Sequence, residues 1–440
     1  MINQVPIYNL SAVLKETGLK ADVLRAWERR YDLPRPHRTP GGHRLYSAYD
    51  IAMLKWLRAR QSEGLSISRA VEYWKEIAAT GREPLDQVLP AGSTAIFTLP
   101  GAENHIDALC NSWLEACLAF DGRKAEDALN QAFAMYPVET VCTAILQRGL
   151  SSVGHYWYEG KASVQQEHFA SALAVRRLET LITAAPQPTR NQTVLVGCPP
   201  GEWHTFSVLL LNLFLRRKGF KVVYLGSDIP IPQMEEAAAA IQPDLTVLAA
   251  QQLTTAAELQ LAALSLHGQG RALAYGGLIF NRVPGLRERI PAVFLGESLE
   301  EAVDSIERLV LYPADPSSMA PAENHHRALA VLYRRKRAFI EAALLQQFQQ
   351  EEIHIEYIEK ANFYFASSLA AALELGDLAY LEADLEWLKM LLAGRQVSEK
   401  RLNQYLAAYR SAIHDELGND GAPITEWMDT YLARNQAVHL

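Results

Sequence analysis

Two kinds of hydrophobic pattern divide the chain. From residue 7 to 80 the apolar positions recur in short helical windows. Ser11 to Leu14 opens one helix, Gly18 closes it, and Ala21 to Tyr31 forms the next with Leu24 and Trp27 inward. Asp50 to Glu63 and Ser66 to Ile77 continue the pattern, and a turn-rich basic stretch, Pro34 to Tyr46, lies between. Residues 104–184 keep helical spacing throughout, with turns at Asp121 and Pro137, which predicts four antiparallel helices. Residues 190–311 change character. Short apolar runs at Thr193–Gly197, Lys221–Leu225, Leu245–Ala249, Ala272–Tyr275 and Ala292–Phe294 alternate with helical patterns, as a parallel α/β sheet requires. Residues 323–440 return to helix, rich in aromatics.

The predicted fold class is therefore multidomain, α and α/β. A helix-turn-helix head spans 1–80, a four-helix segment 104–184, a Rossmann-like domain 190–311 and an all-helical domain 323–440. Residues 81–103 and 312–322 are dense in Pro and Gly and read as linkers. Because Pro313–Pro321 is a poor place for a shared core, truncation near Ser318 is expected to leave ligand binding by the preceding domain intact and to alter oligomeric state or optical range.

Charge sharpens this picture. The net charge is −8, yet residues 1–80 hold 13 Lys/Arg against 8 Asp/Glu, so a basic head sits on an acidic body. That asymmetry suits one module that meets a polyanion. The longest apolar run, Phe206 to Leu215, is too short to span a bilayer, and no export signal is legible. Cys110, Cys117, Cys142 and Cys198 form no C-x-x-C pair, which suits a reducing cytoplasm without structural zinc.

Candidate chemistry concentrates after the run Val194-Leu195-Val196-Gly197, where a Pro/Gly turn leads into an apolar helix. Ligands of α/β domains usually sit outside the carboxyl ends of the strands. Here the loop carries His204 with Glu202 two residues before it. On residues alone, this pair reads either as an imidazole metal ligand with its orienting acid or as an ordinary polar loop.

Glu202-Trp203-His204 followed by Ser207 resembles the Asp/Glu-x-His-x-x-Gly signature of B12-binding Rossmann domains. The resemblance implies that His204 displaces the dimethylbenzimidazole tail and ligates cobalt from below. Asp228, Gln252, Leu253, Gly276 and Gly277 fall at the spacings where that family lines its tail pocket. Ser207 stands for the usual Gly, and Gln251 or Gln252 stands where a Ser often receives the tail. The first change narrows the room beside the tail, and the second alters its hydrogen bonding.

The run Leu24-Arg25-Ala26-Trp27-Glu28-Arg29-Arg30-Tyr31, with Gly41-Gly42-His43-Arg44-Leu45-Tyr46, resembles the winged helix-turn-helix of MerR-family regulators. That implies double-stranded DNA as partner, with Arg25, Arg29, Arg30, Arg38, His43, Arg44 and Tyr46 at the interface. Arginines on one helix can enter the major groove, while those of the wing clamp phosphates. Trp27, Tyr31 and Tyr46 also read as core of a small domain. A typical MerR regulator continues into a long dimerising helix. Here a linker follows, so pairing has to come from elsewhere.

Trp157, with Glu167-His168 ten residues later, resembles the Trp-x9-Glu-His signature of the helical cap in CarH-type B12 photoreceptors. The resemblance implies adenosylcobalamin between cap and Rossmann-like domain, Trp157 over the adenosyl group, and Glu167 and His168 on the upper face. In that family a His follows the cap Trp and ligates cobalt once adenosyl is lost. Tyr158 stands there instead, which leaves His168 or solvent to take that place. In the last domain, Gly376-Asp377-Leu378, Leu385 to Lys389 and Val397-Ser398 resemble a helical module found beside B12 domains in photocobilins, which implies biliverdin. The same aromatic stripe at helical spacing also fits a core or a dimer interface.

The expected function is a cytoplasmic, light-responsive, B12-dependent transcriptional regulator, a homo-oligomer (dimer or tetramer) rather than an enzyme or a membrane protein. The alternatives are a corrinoid carrier or enzyme module, and a B12-independent or bilin-responsive regulator of the same fold.

Overall fold

The computed structural model describes residues 5–17, 19, 21–38, 44–62, 67, 70–71, 74–75, 102–312, 324–348, 355–394 and 398–437. The expected linker 81–103 lies outside them except for its last two residues, and the expected linker 312–322 except for Tyr312. The chain divides into two compact units, residues 1–109 with 127–145 and residues 110–126 with 146–440.

In the first unit, β1 (Tyr8–Asn9) leads into α1 (Leu10–Thr17) and α2 (Ala21–Tyr31). β2 (His37–Arg38) and β3 (Arg44–Tyr46) then form the wing ahead of α3 (Ala48–Ser62). The three strands are antiparallel in the order β1-β3-β2, with Tyr8 opposite Tyr46 and Arg38 opposite Arg44. Val13, Leu24, Trp27, Tyr46, Leu54 and Leu57 close a small core. Of the helix expected over 66–77, five residues are described: Ala70, Val71 and Trp74 are buried in that core, Ile67 packs partly buried against it and Lys75 is exposed.

The segment 102–183 carries four main helices. They are α4 (Ala102–Leu118), α5 (Gly122–Met135), α7 (Arg148–Tyr158) and α8 (Val164–Thr183). The short helix α6 (Val138–Val141) and a π-type turn (Cys142–Gln147) join the second pair to the first. Within the second unit, Gly149 on α7 exists because a Cβ there would sit 2.6 Å from the Trp113 ring. α8 begins at a capping box in which the Ser163 hydroxyl accepts from the Gln166 N–H and the Gln166 amide oxygen accepts from Ser163 N–H.

The α/β domain is a five-stranded parallel sheet in the order β5-β4-β6-β7-β8. Its elements are β4 (Thr193–Gly197), α9 (Phe206–Arg217), β5 (Lys221–Gly226), α10 (Ile231–Ile241), β6 (Leu245–Ala249), α11 (Leu253–Gly268), β7 (Leu273–Gly276), α12 (Leu278–Arg282), β8 (Val293–Phe294) and α13 (Leu299–Leu309). All five expected strands are present. Every residue of β4 is buried, as a central strand covered on both faces demands. The order reverses at β4, so the crevice lies at the carboxyl ends of β4 and β6.

The last domain consists of α14 (Asn324–Phe348), α15 (Ile355–Leu375), α16 (Leu381–Gly394), α17 (Glu399–Leu417) and α18 (Ala422–Ala437). Its aromatic stripe largely faces inward: Tyr333 and Tyr409 hydroxyls meet at 2.6 Å, and Phe365 meets Tyr409 edge to face. The expectation that no core is shared across residues 313–321 is corrected. α11 packs against α15, and one continuous core runs from Leu259 and Leu266 of the α/β domain through Leu369 and Leu373 to Ile413. α11 is apolar nearly all round, so its second face needs a cover, and the C-terminal helices supply it.

Candidate cobalamin site and DNA-binding head

The loop between β4 and α9 is built around one carboxylate. Glu202 has no solvent exposure and accepts four hydrogen bonds. Oε1 takes the His204 N–H at 2.9 Å and His204 Nδ1 at 2.7 Å, while Oε2 takes Gln251 N–H and Thr255 Oγ1–H, each at 2.7 Å. Burial pushes the Glu202 pKa up, but the bonds from His204 and Thr255 outweigh it and hold the group below its ordinary value. It is therefore an acceptor, which makes Nδ1 of His204 the donor and, in the neutral imidazole, puts the lone pair on Nε2 of a side chain 60% exposed. A neutral imidazole held this way is a metal ligand in a fixed tautomer.

The rest of the loop is fixed from β5. Asp228, in a left-handed conformation, accepts the Gly201 N–H at 2.7 Å and donates its own N–H to the Glu202 carbonyl at 3.0 Å. Gly277 has φ +122, and a Cβ there would lie 1.9 Å from the Ala250 carbonyl oxygen, so only glycine fits. Gly276 has open space where a Cβ would be, next to the same crevice. Gln251 crosses that crevice. Its Nε2 donates to Ser207 Oγ at 3.0 Å and its Oε1 accepts the Leu278 N–H at 3.0 Å. Ser207 and Gln251, the two departures noted in the sequence, thus bond to each other. Gln252 instead caps α11. The reading of Leu253 as a ligand contact is corrected: it has no exposure, and its side chain packs into the sheet core. Thr255, which completes the Glu202 cradle, escaped the sequence reading; its signal is the third place of the helix that Gln252 caps.

Above, Trp157 lies near the end of α7, and Glu167 and His168 occupy the first turn of α8. Glu167 accepts from His168 Nδ1 and from the Ser171 hydroxyl, each at 2.8 Å, so the carboxylate orients the exposed imidazole. α8 packs on α9. The bond to Glu202 chiefly raises the pKa of His204 against its burial, and the charge of Glu167 adds to it. His155 pairs with Glu159 at 3.2 Å on the exposed side of α7.

In the head, Arg25, Arg29 and Arg30 are exposed along α2. Glu28 joins this helix to the wing, accepting Arg44 Nε–H at 3.0 Å and the Tyr46 hydroxyl at 2.6 Å. Tyr46 is wholly buried, which corrects its place among DNA contacts: it belongs to the core. Arg44 keeps only its terminal nitrogens for a phosphate. Arg38 pairs with Arg44 through the backbone, and His43 lies outside the described residues.

Residues 8–77 match the model of the MerR HTH family regulatory protein, and residues 109–182 match that of the B12 binding domain. The chain is 32% identical over 241 residues to the HTH-type transcriptional repressor CarH of Myxococcus xanthus, covering 55% of this chain and 78% of that one. To CarA of the same organism it is 29% identical over 300 residues, covering 68% and 94%. Among solved structures, the monomethylamine corrinoid protein of Methanosarcina barkeri aligns over 47% of this chain and 99% of its own, at 20% identity and a TM-score of 0.40. The chain is thus a helix-turn-helix regulator of the MerR type that carries a B12-binding domain, and not an enzyme. It belongs to the family of the CarH and CarA repressors.

Proposed function

We propose that the protein is a light-responsive DNA-binding regulator, cytoplasmic and homo-oligomeric, that holds adenosylcobalamin between α7–α8 and the α/β domain. The observation that carries this reading is the buried Glu202 holding Nδ1 of His204, which leaves Nε2 free at the crevice. His204 would ligate cobalt from below, with Asp228 and Gly277 keeping its loop and the crevice in shape. Trp157 would cover the adenosyl group, and Glu167 with His168 would line the upper face. The cofactor supplies a cobalt–carbon bond that light can break. Trp157 at the end of α7 would couple the state of the upper face to that helix, and the assembly that spaces the DNA-binding heads would respond as a population shift between two states. Arg25, Arg29 and Arg30 would meet double-stranded DNA, with Arg44 on the phosphate backbone.

The C-terminal aromatic stripe we assign to core rather than to a bilin, because Tyr333, Phe365, Tyr405 and Tyr409 pack on one another. Co-expression with a biliverdin source should give no red-absorbing band. The main test is purification with adenosylcobalamin, followed by spectra and operator binding in the dark and after green light. Binding with photolysis and altered DNA affinity supports the reading. Stable binding without photolysis points to a corrinoid carrier, and no binding points to a B12-independent regulator.

A further inference from the structure

The helix α16 reaches two layers of the second unit at once. Near its start it is tied to the edge of the α/β domain: Arg282 Nη2–H donates to the Ala383 carbonyl and Arg289 Nε–H to the Tyr380 hydroxyl, each at 3.1 Å. The Ser368 hydroxyl donates to Asp384 at 2.7 Å, which binds the same turn to α15. Further along, α16 leaves that edge and meets the end of α7. Trp387 lies edge to face on Tyr158, with ring centroids 5.7 Å apart and planes at 82°. Tyr158 in turn lies against Trp157, 4.9 Å away at 55°.

These three rings are half-buried, and Tyr158 is the last residue of its helix. The backbone turns away at once, with the N–H groups of Lys161 and Ala162 both donating to the Tyr156 carbonyl. The helix thus closes in a turn, with the Trp157 carbonyl accepting the Gly160 N–H at 3.2 Å, and the two rings stand at its end. The Trp387 ring meets Tyr158 with an aromatic edge, and such contacts prefer a defined geometry over a sliding one.

We propose that Trp387 is a positioning residue for the upper face of the cofactor site, acting through Tyr158 on the Trp157 ring. The C-terminal helices then form a strut, anchored on the α/β domain through Arg282 and Arg289 and bearing on the end of α7. This inference rests on the reading of Trp157 as an upper-face residue. It assigns the C-terminal domain a task in the B12 site itself: any displacement of the end of α7 must break the Trp387–Tyr158 contact or move α16.

The test uses the full-length protein and two corrinoids that differ only above the cobalt, adenosylcobalamin and hydroxocobalamin. Trp387→Leu keeps apolar bulk and removes the aromatic edge. It should weaken adenosylcobalamin binding by roughly tenfold, the upper range for such a pair, while hydroxocobalamin changes less than about twofold. Trp387→Phe should restore most of the difference, and Trp387→Leu combined with Tyr158→Leu should be no worse than either alone. Equal losses for both corrinoids would mean general support of the fold and would overturn the proposal, as would no loss at all. Should Trp387→Leu fail to fold, Tyr158→Leu makes the same comparison from the other side, with selective loss supporting and equal loss overturning. A wild-type protein that binds neither corrinoid removes the B12 reading and this inference with it. A wild type that binds both, with unshifted variants, removes this inference alone.

Discussion

Glu202 receives the Nδ1–H of His204 at 2.7 Å although no part of Glu202 reaches solvent. The imidazole is therefore fixed by a group that the ligand does not touch. Glu202→Gln keeps the shape but offers an amide where four donors converge on Oε1 and Oε2, so Thr255 or Gln251 loses a partner. Cobalamin affinity should fall by about 10- to 100-fold, as for other residues that orient a metal-bound His. His204→Ala should go further and leave any bound cobalamin in its tail-ligated form. Titration by absorbance decides both, and wild-type spectra for His204→Ala would refute the assignment of the lower ligand.

For the upper face, the optical spectrum of the illuminated protein should change in His168→Ala if that imidazole moves in after light. Glu167 already holds His168 by Nδ1, leaving Nε2 available, whereas His155 is engaged with Glu159. A bis-imidazole spectrum that survives His168→Ala would point to another histidine.

DNA binding separates Arg44 from Arg25. Arg44→Ala should weaken binding to all sequences and lower the salt slope by about 1, as expected for one phosphate contact. It should also loosen the wing, since Glu28 loses its cation. Arg25, 52% exposed and only 4.0 Å from Asp22, should instead govern sequence preference by about 1–3 kcal/mol at one base pair. Unchanged preference in Arg25→Ala would place it on the backbone.

Burial pushes the pKa of Glu258 on α11 above its ordinary value, with Arg334 pulling it back. The folded protein thus keeps this proton in a window where the unfolded chain has released it. Stability falls as pH rises through that window, which begins at the ordinary carboxylate value and ends at the raised one. Glu258→Gln should raise the melting temperature at pH 7 by about 1–3 °C and leave it little changed at pH 4, for a domain of this size. Equal shifts at both pH values would show that the proton is not involved.

Truncation after Tyr312 should destabilise the α/β domain, because it strips the cover from Leu259, Ala263 and Leu266. A truncated chain with the parent melting temperature and solubility would refute the shared core.

What could be read from the sequence follows what is local. The strands of the sheet are short apolar runs between turns, and Thr193–Gly197 and Leu245–Ala249 are found with the expected ends. Likewise, Leu24 and Trp27 point inward from α2, as their spacing predicts. The Glu202–His204 pair is legible because its partners are two residues apart. Its remaining support is not: Thr255 and Gln251 come from a different strand end, 53 and 49 residues away. The same holds for the shared core. A Pro-rich stretch signals a change of local pattern, but it carries no information about which faces meet afterwards. Tyr46 shows the reverse case, where a motif position suggested a surface role and the burial of an aromatic ring in a small core prevailed.

The closing of α11 by α15 also bears on how the chain is made. A ribosome releases residues 190–311 before the helices that cover them, so the sheet domain is left with an open apolar face while more than a hundred further residues are added. During that interval the nascent chain is exposed to association with its neighbours. Expression yield should therefore respond to chaperone supply and to translation speed downstream of residue 312 more than the stability of the finished protein would suggest.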